Sequence, residues 1–169
     1  MKPAGLSEKL VYGTSRPGYP KKSVSKGEIL NWINQNSSQG IKAIICLLCE
    51  EEIALYYQEK LLDLYRKHFI SVFHFPWDDF SLCSEETIKR IIKVIEKETH
   101  KGHKVLVHCS GGIGRTGLTL AAWLVYRYKI SPEKAIEIQL SLGRNPLESA
   151  LINEEVTEEA IIDLLEAIL

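Results

Sequence analysis

The stretch Lys104–Gly117, KVLVHCSGGIGRTG, changes pattern in a way that decides the fold class. Lys104 to His108 is a short apolar, β-branched run, the composition of a buried strand. It passes through a loop carrying Gly111, Gly112 and Gly114 into a helix that begins near Thr116 and is predicted over 116–129. Such a loop can turn successive backbone N–H groups inward with the helix N-terminus behind them, making a cradle for a tetrahedral oxyanion. Cys109 opens the loop and Arg115 closes it, with five residues between. That spacing lets a thiolate lie at the floor of the cradle while a guanidinium reaches over it to grip two anion oxygens. The same donors favour the thiolate over the thiol. Ser110, Gly111, Gly112, Ile113 and Gly114 supply the walls, and the Thr116 hydroxyl can donate to the sulfur. A nucleotide-binding loop of the Walker type is excluded, because no Gly-Lys-[Ser/Thr] follows the glycines.

Upstream, helical and strand periods alternate. Lys9–Gly13 is a strand candidate, followed by a Gly- and Pro-rich loop over 13–22. Ile29, Trp32 and Ile33 repeat at helical spacing after Ser25, predicting a helix over 26–36, and Ile41–Leu48 reads as a buried strand. Ala54, Tyr57, Leu61 and Leu64 form one stripe of a helix over 50–67, and Ser71–Pro76 is a further strand. Ser84 caps a helix bearing Ile88, Ile91, Ile92 and Ile95; beyond the central loop, helices are predicted over 132–142, with Ser131 as cap, and over about 154–168. Strands joined by helical crossovers imply an α/β fold: a central, mainly parallel sheet of four to five strands flanked by helices. The 169 residues are expected to form one domain over 1–169.

Lys plus Arg number 21 against 22 Asp plus Glu, so there is no global basic field to hold nucleic acid, and any anion site must be local. No apolar run is long enough for a membrane span and no secretory signal is evident, so the cytoplasm and a monomer are expected. Four cysteines at irregular spacing do not make a disulfide framework. Cys46-Leu47-Leu48-Cys49 is a lone Cys-x-x-Cys on a buried strand, and without a second ligand pair it does not indicate zinc.

His108-Cys109-Ser110-Gly111-Gly112-Ile113-Gly114-Arg115-Thr116 resembles the His-Cys-x5-Arg-[Ser/Thr] signature of the cysteine-based protein tyrosine and dual-specificity phosphatases. The resemblance implies that Cys109 is the nucleophile, that Arg115 and the loop hold the phosphoryl oxygens, and that neither cofactor nor metal takes part. It also implies a general acid, an Asp about 30 residues before the nucleophile. Trp77-Asp78-Asp79-Phe80 offers two; Asp79 lies 30 residues before Cys109 and precedes an aromatic residue, so it is preferred to Asp78, which is expected to cap the loop. The substrate implied is a phosphorylated protein or peptide, phosphotyrosine first and phosphoserine or phosphothreonine second. The loop lacks the lysines that phosphoinositide-cleaving relatives carry. A phosphoinositide or other phosphomonoester substrate, a phosphopeptide-binding module without activity, and sulfur transfer or arsenate reduction are the competing readings.

Other residues carry weaker expectations. Asn153 is the remaining candidate for positioning the water of a second step. Arg144-Asn145-Pro146 and Arg16 could approach substrate but read better as structural, Arg144 at the surface. His108 is expected to shape the loop by hydrogen bonding, and His100 and His103 to be solvated. Cys49 resembles the cysteine that in lipid-phosphatase relatives forms a reversible disulfide with the nucleophile.

Overall fold

The computed structural model describes residues 1–5 and 7–169. Strands β1 (Lys2–Pro3), β2 (Val11–Thr14), β3 (Ile41–Cys46), β4 (Ser71–His74) and β5 (Lys104–His108) form one sheet in the order β1-β2-β5-β3-β4. Only β1 runs antiparallel; β2, β5, β3 and β4 pair in parallel, so β5 sits in the middle with a partner on each side. The helices are α1 (Lys26–Ser38), α2 (Glu50–Tyr56), α3 (Leu61–His68), α4 (Glu85–His100), α5 (Gly114–Tyr128), α6 (Pro132–Ser141), α7 (Glu148–Ile152) and α8 (Glu158–Glu166). The α/β class and the mainly parallel sheet agree with the sequence pattern.

Period-two alternation on the middle strand divides the core into two layers. Val105 and Val107 face one side, with Ala43 and Ile45, and are covered by the isoleucines of α4 and by α5, α6 and α8. Leu106 faces the other side with Ile44 and Cys46, under Ile29 and Ile33 of α1 and Leu61, Leu64 and Tyr65 of α3. Ser25, Ser84 and Ser131 each accept a backbone N–H at the start of a helix, and Ser25 forms a reciprocal box with Glu28.

The helix expected over 50–67 is two helices. Tyr57 turns extended, at φ −128° and ψ 130°, bridges to Val24, and sends its hydroxyl to the Pro17 carbonyl at 3.0 Å. A stripe that matches a helical period was thus split by one tertiary anchor. The helix expected from about 154 begins at Glu158, behind a Thr157 cap, and the short α7 precedes it. At two residues, β1 is too short for any alternation to announce it. No described helix is long and apolar enough to cross a membrane.

Leu106 is fully buried on the central strand. Leu106→Ala should lower the unfolding free energy by about 2–5 kcal/mol, the usual range for a truncated core leucine, as measured by denaturant titration.

Candidate active site

Every strand running parallel to β5 ends on the same side of the sheet, and the Gly-rich loop leaves β5 there. Cys109 is buried at its floor, and the Thr116 hydroxyl donates to its sulfur at 3.1 Å. The sharp part of the loop depends on Gly112, at φ +74°; a Cβ there would come within 2.6 Å of the Thr14 carbonyl. Helix α5 starts at Gly114 with no cap from the Ile113 side chain and no acid of its own in the first turn; the Glu148 carboxylate lies against Gly114 there.

His108 shapes the loop from below. Its Nδ1–H donates to the Cys109 carbonyl at 3.0 Å, so Nε2 accepts from the Tyr65 hydroxyl at 3.0 Å. Arg16, which reads from sequence as structural rather than substrate-facing, is almost fully buried: its backbone N–H and its Nε–H both donate to Ser110, and Tyr56 lies under its guanidinium at 3.6 Å.

Arg115 is buried and multiply held. Glu52 accepts from both terminal nitrogens, at 2.6 and 2.8 Å, and the Trp77 carbonyl accepts at 2.6 Å. Burial opposes its charge, but Glu52, together with the neighbouring Cys109 and Asp79, holds its pKa above the ordinary arginine value. In return, Arg115 outweighs the burial of Glu52 and keeps that carboxyl below its usual range. The Nε–H of Arg115 is buried with no acceptor among the described residues, a donor left over for an incoming oxyanion. Nothing in the sequence marked Glu52, which lies 63 residues from Arg115 in an acidic helix start.

Of the two aspartates, Asp79 is the one that meets the loop. Its Oδ1 lies 3.1 Å from Arg115 Nη2 and accepts the Phe80 N–H at 3.2 Å. The Asp78 carboxylate instead stands with Cys49 and Glu51, their nearest polar atoms within 4.8 Å of one another. The expected loop cap is therefore supplied by the Asp79 side chain, while Asp78 contributes its backbone carbonyl to Ser81. A narrow cleft beside the loop is lined by Trp77, Asp79, Phe80, Arg115, Pro146 and Glu148. Burial, and then Asp79, push the Glu148 carboxyl up.

Arg144 does not lie at the surface. It is buried and donates to the carbonyls of Lys2 and Pro3 and to Gln139, which ties the N-terminal strand to α6. His103 is not simply solvated, since Nδ1 lies 2.7 Å from the buried Glu98 carboxylate. Cys49 caps α2 just beyond β3; its thiol and that of Cys109 are both free, and burial pushes the Cys49 thiol up. Asn153 donates to the Phe80 carbonyl at 3.1 Å.

Residues 18–129 match the family described as polymorphic toxin system, DSP-PTPase phosphatase. The bovine protein tyrosine phosphatase domain-containing protein 1 is 32% identical over 115 residues, which cover 62% of this chain and 14% of that protein. The chain thus corresponds to a small part of that curated relative. Kinase associated phosphatase, solved with its catalytic-site cysteine replaced by serine, superposes with a TM-score of 0.63 at 26% identity, over 79% of this chain and 71% of that one. Tk-PTP in its active form superposes with a TM-score of 0.67 over 99% of this chain and 97% of that one; at 24% identity the likeness speaks for the fold.

Burial holds the His108 imidazole down to about 4, against an ordinary value of 6.5. Between those pH values the unfolded chain takes up a proton that the folded chain refuses, so stability falls as pH falls through this window and is complete above it. Unfolding titrations of wild type and His108→Asn from pH 7 to 4 should show an extra loss in the wild type, on the order of 3 kcal/mol.

Proposed function

This chain belongs to the DSP-PTPase phosphatase family of polymorphic toxin systems, and from that membership we propose that it hydrolyses phosphotyrosine, and more slowly phosphoserine and phosphothreonine, in proteins by way of a cysteinyl-phosphate. The observation that carries the reading is the meeting at one loop of three groups: the Cys109 sulfur under a Thr116 donor, the Arg115 fork, and the Asp79 carboxylate 3.1 Å from that fork.

In the first step the Cys109 thiolate attacks phosphorus in line with the ester oxygen. The S–P bond forms as the P–O bond breaks, and Asp79 gives its proton to the departing oxygen. Arg115 and the loop N–H groups take the charge on the equatorial oxygens. In the second step water attacks the cysteinyl-phosphate, Asp79 accepts its proton, and the sulfur leaves as thiolate beside the Thr116 hydroxyl. A phenolic leaving group, with a pKa near ~10, gains from such an acid. The absence of lysine between Cys109 and Arg115 supports a singly phosphorylated side chain over a polyphosphorylated headgroup.

Cys109→Ser should abolish hydrolysis of an aryl phosphate while still binding a phosphotyrosine peptide, because Arg115 and the loop remain. Turnover by that variant would remove the nucleophile assignment.

Asp79→Asn should slow phenyl phosphate hydrolysis by roughly 10²–10⁴ and affect esters of very acidic phenols far less, since these depart unprotonated. The same pattern in Asp78→Asn and not in Asp79→Asn would reverse the assignment.

A further inference from the structure

Asn153 closes α7 and bonds at both ends of its amide. Oδ1 accepts the Glu155 N–H at 3.0 Å, a local turn contact, while Nδ2 donates to the Phe80 carbonyl at 3.1 Å, across 73 residues of sequence. These partners fix which way the amide points, because a carbonyl can only accept and an N–H can only donate.

Phe80 needs an external hold. It stands at φ +55°, in the left-handed region that side chains other than glycine and asparagine avoid. Its N–H is bonded to Asp79 Oδ1, the oxygen that meets Arg115 Nη2. Restraining the peptide groups on either side of Phe80 therefore restrains the direction of the Asp79 carboxyl. The other end of the same segment grips the phosphate loop: the Asn145 N–H donates to the Ile113 carbonyl at 3.3 Å, and Glu148 lies against Gly114. Residues 145–153 touch both loops, and each contact is made by a named group.

We propose that Asn153 is a positioning residue of the reaction: through the Phe80 carbonyl it latches the acid loop so that Asp79 faces the leaving-group oxygen, and residues 145–153 act as the strut that sets the distance between the acid loop and the phosphate loop. The inference rests on the reading of Asp79 as the general acid. Asn153 touches neither substrate nor phosphorus; its effect passes through Asp79.

Asn153→Asp tests this, since it retains the acceptor for the Glu155 N–H and replaces the donor to Phe80 with a charged carboxylate oxygen that the Phe80 carbonyl repels, opening the latch. It should lower kcat for phenyl phosphate about tenfold, the size of effect expected from one ordinary hydrogen bond. It should leave kcat for an ester of a strongly acidic phenol within about twofold, and the inhibition constant for inorganic phosphate unchanged. In an Asp79→Asn background the same substitution should have no further effect, because its target is gone. Equal losses for both esters, weakened phosphate inhibition, an additive loss in the double variant, or no loss at all would each overturn the latch. If Asp79→Asn alone shows no leaving-group dependence, the acid assignment fails and the latch with it. If Asp79→Asn behaves as expected and Asn153→Asp does not, the latch alone fails.

Discussion

A guanidinium removed from water is tolerable only where its charge and donors are met, and Arg115 is the buried cation around which the candidate site is arranged. Glu52 answers it with two oxygens from the start of α2, the Trp77 carbonyl from the chain after β4, and Asp79 from the turn beyond. Two crossovers of the sheet supply these partners, β3 to β4 for Glu52 and β4 to β5 for Trp77 and Asp79, so one buried cation ties both connections to the loop that holds Cys109. Removing Glu52 would leave a buried charge short of its main counterion, a costlier defect than the loss of a surface pair. The pair is thus better understood as a constraint on geometry than as a source of stability. It holds the planar fork at one orientation and leaves its Nε–H free.

The same economy runs through the other supports. Neutral His108 joins the β5 backbone to Tyr65, and Arg16 joins the chain after β2 to Ser110. The loop is therefore braced from beneath by an imidazole and from the side by a second buried guanidinium. None of these groups needs to touch a substrate for the loop to keep its shape.

Much of the centre was legible from sequence because its signals are local. The strand-loop-helix pattern of Lys104–Gly117, the six-residue step from Cys109 to Arg115, and the apolar runs of β3 and β5 can each be read within a short stretch of chain. Asp79 is preferred to Asp78 through the family resemblance, on its 30-residue distance from Cys109 and the aromatic Phe80 that follows it. What escaped was long-range by nature. Glu52 lies in a run of three acids, any of which could be a solvated helix start, and only the folded chain selects one. Tyr57 fits a helical stripe, yet it breaks the helix because Val24 and Pro17 offer its backbone and hydroxyl better partners. Arg144 looked like a surface residue because nothing near it in sequence shows the carbonyls of Lys2 and Pro3.

The position of β5 between β2 and β3 bears on how the chain acquires its shape. Strand β5 is the last of the five in sequence and fills the slot between two strands made much earlier. Until residues 104–108 are in place, β2 and β3 have no common neighbour, and each exposes an unpaired edge of the kind that invites association with other chains. Loop closure across such separations slows parallel sheets. The insertion that closes the sheet also delivers Cys109 and Arg115 to partners already waiting on the earlier segments. A chain that stops short of residue 104 therefore leaves the facing edges of β2 and β3 without their shared neighbour and lacks Cys109 and Arg115 as well.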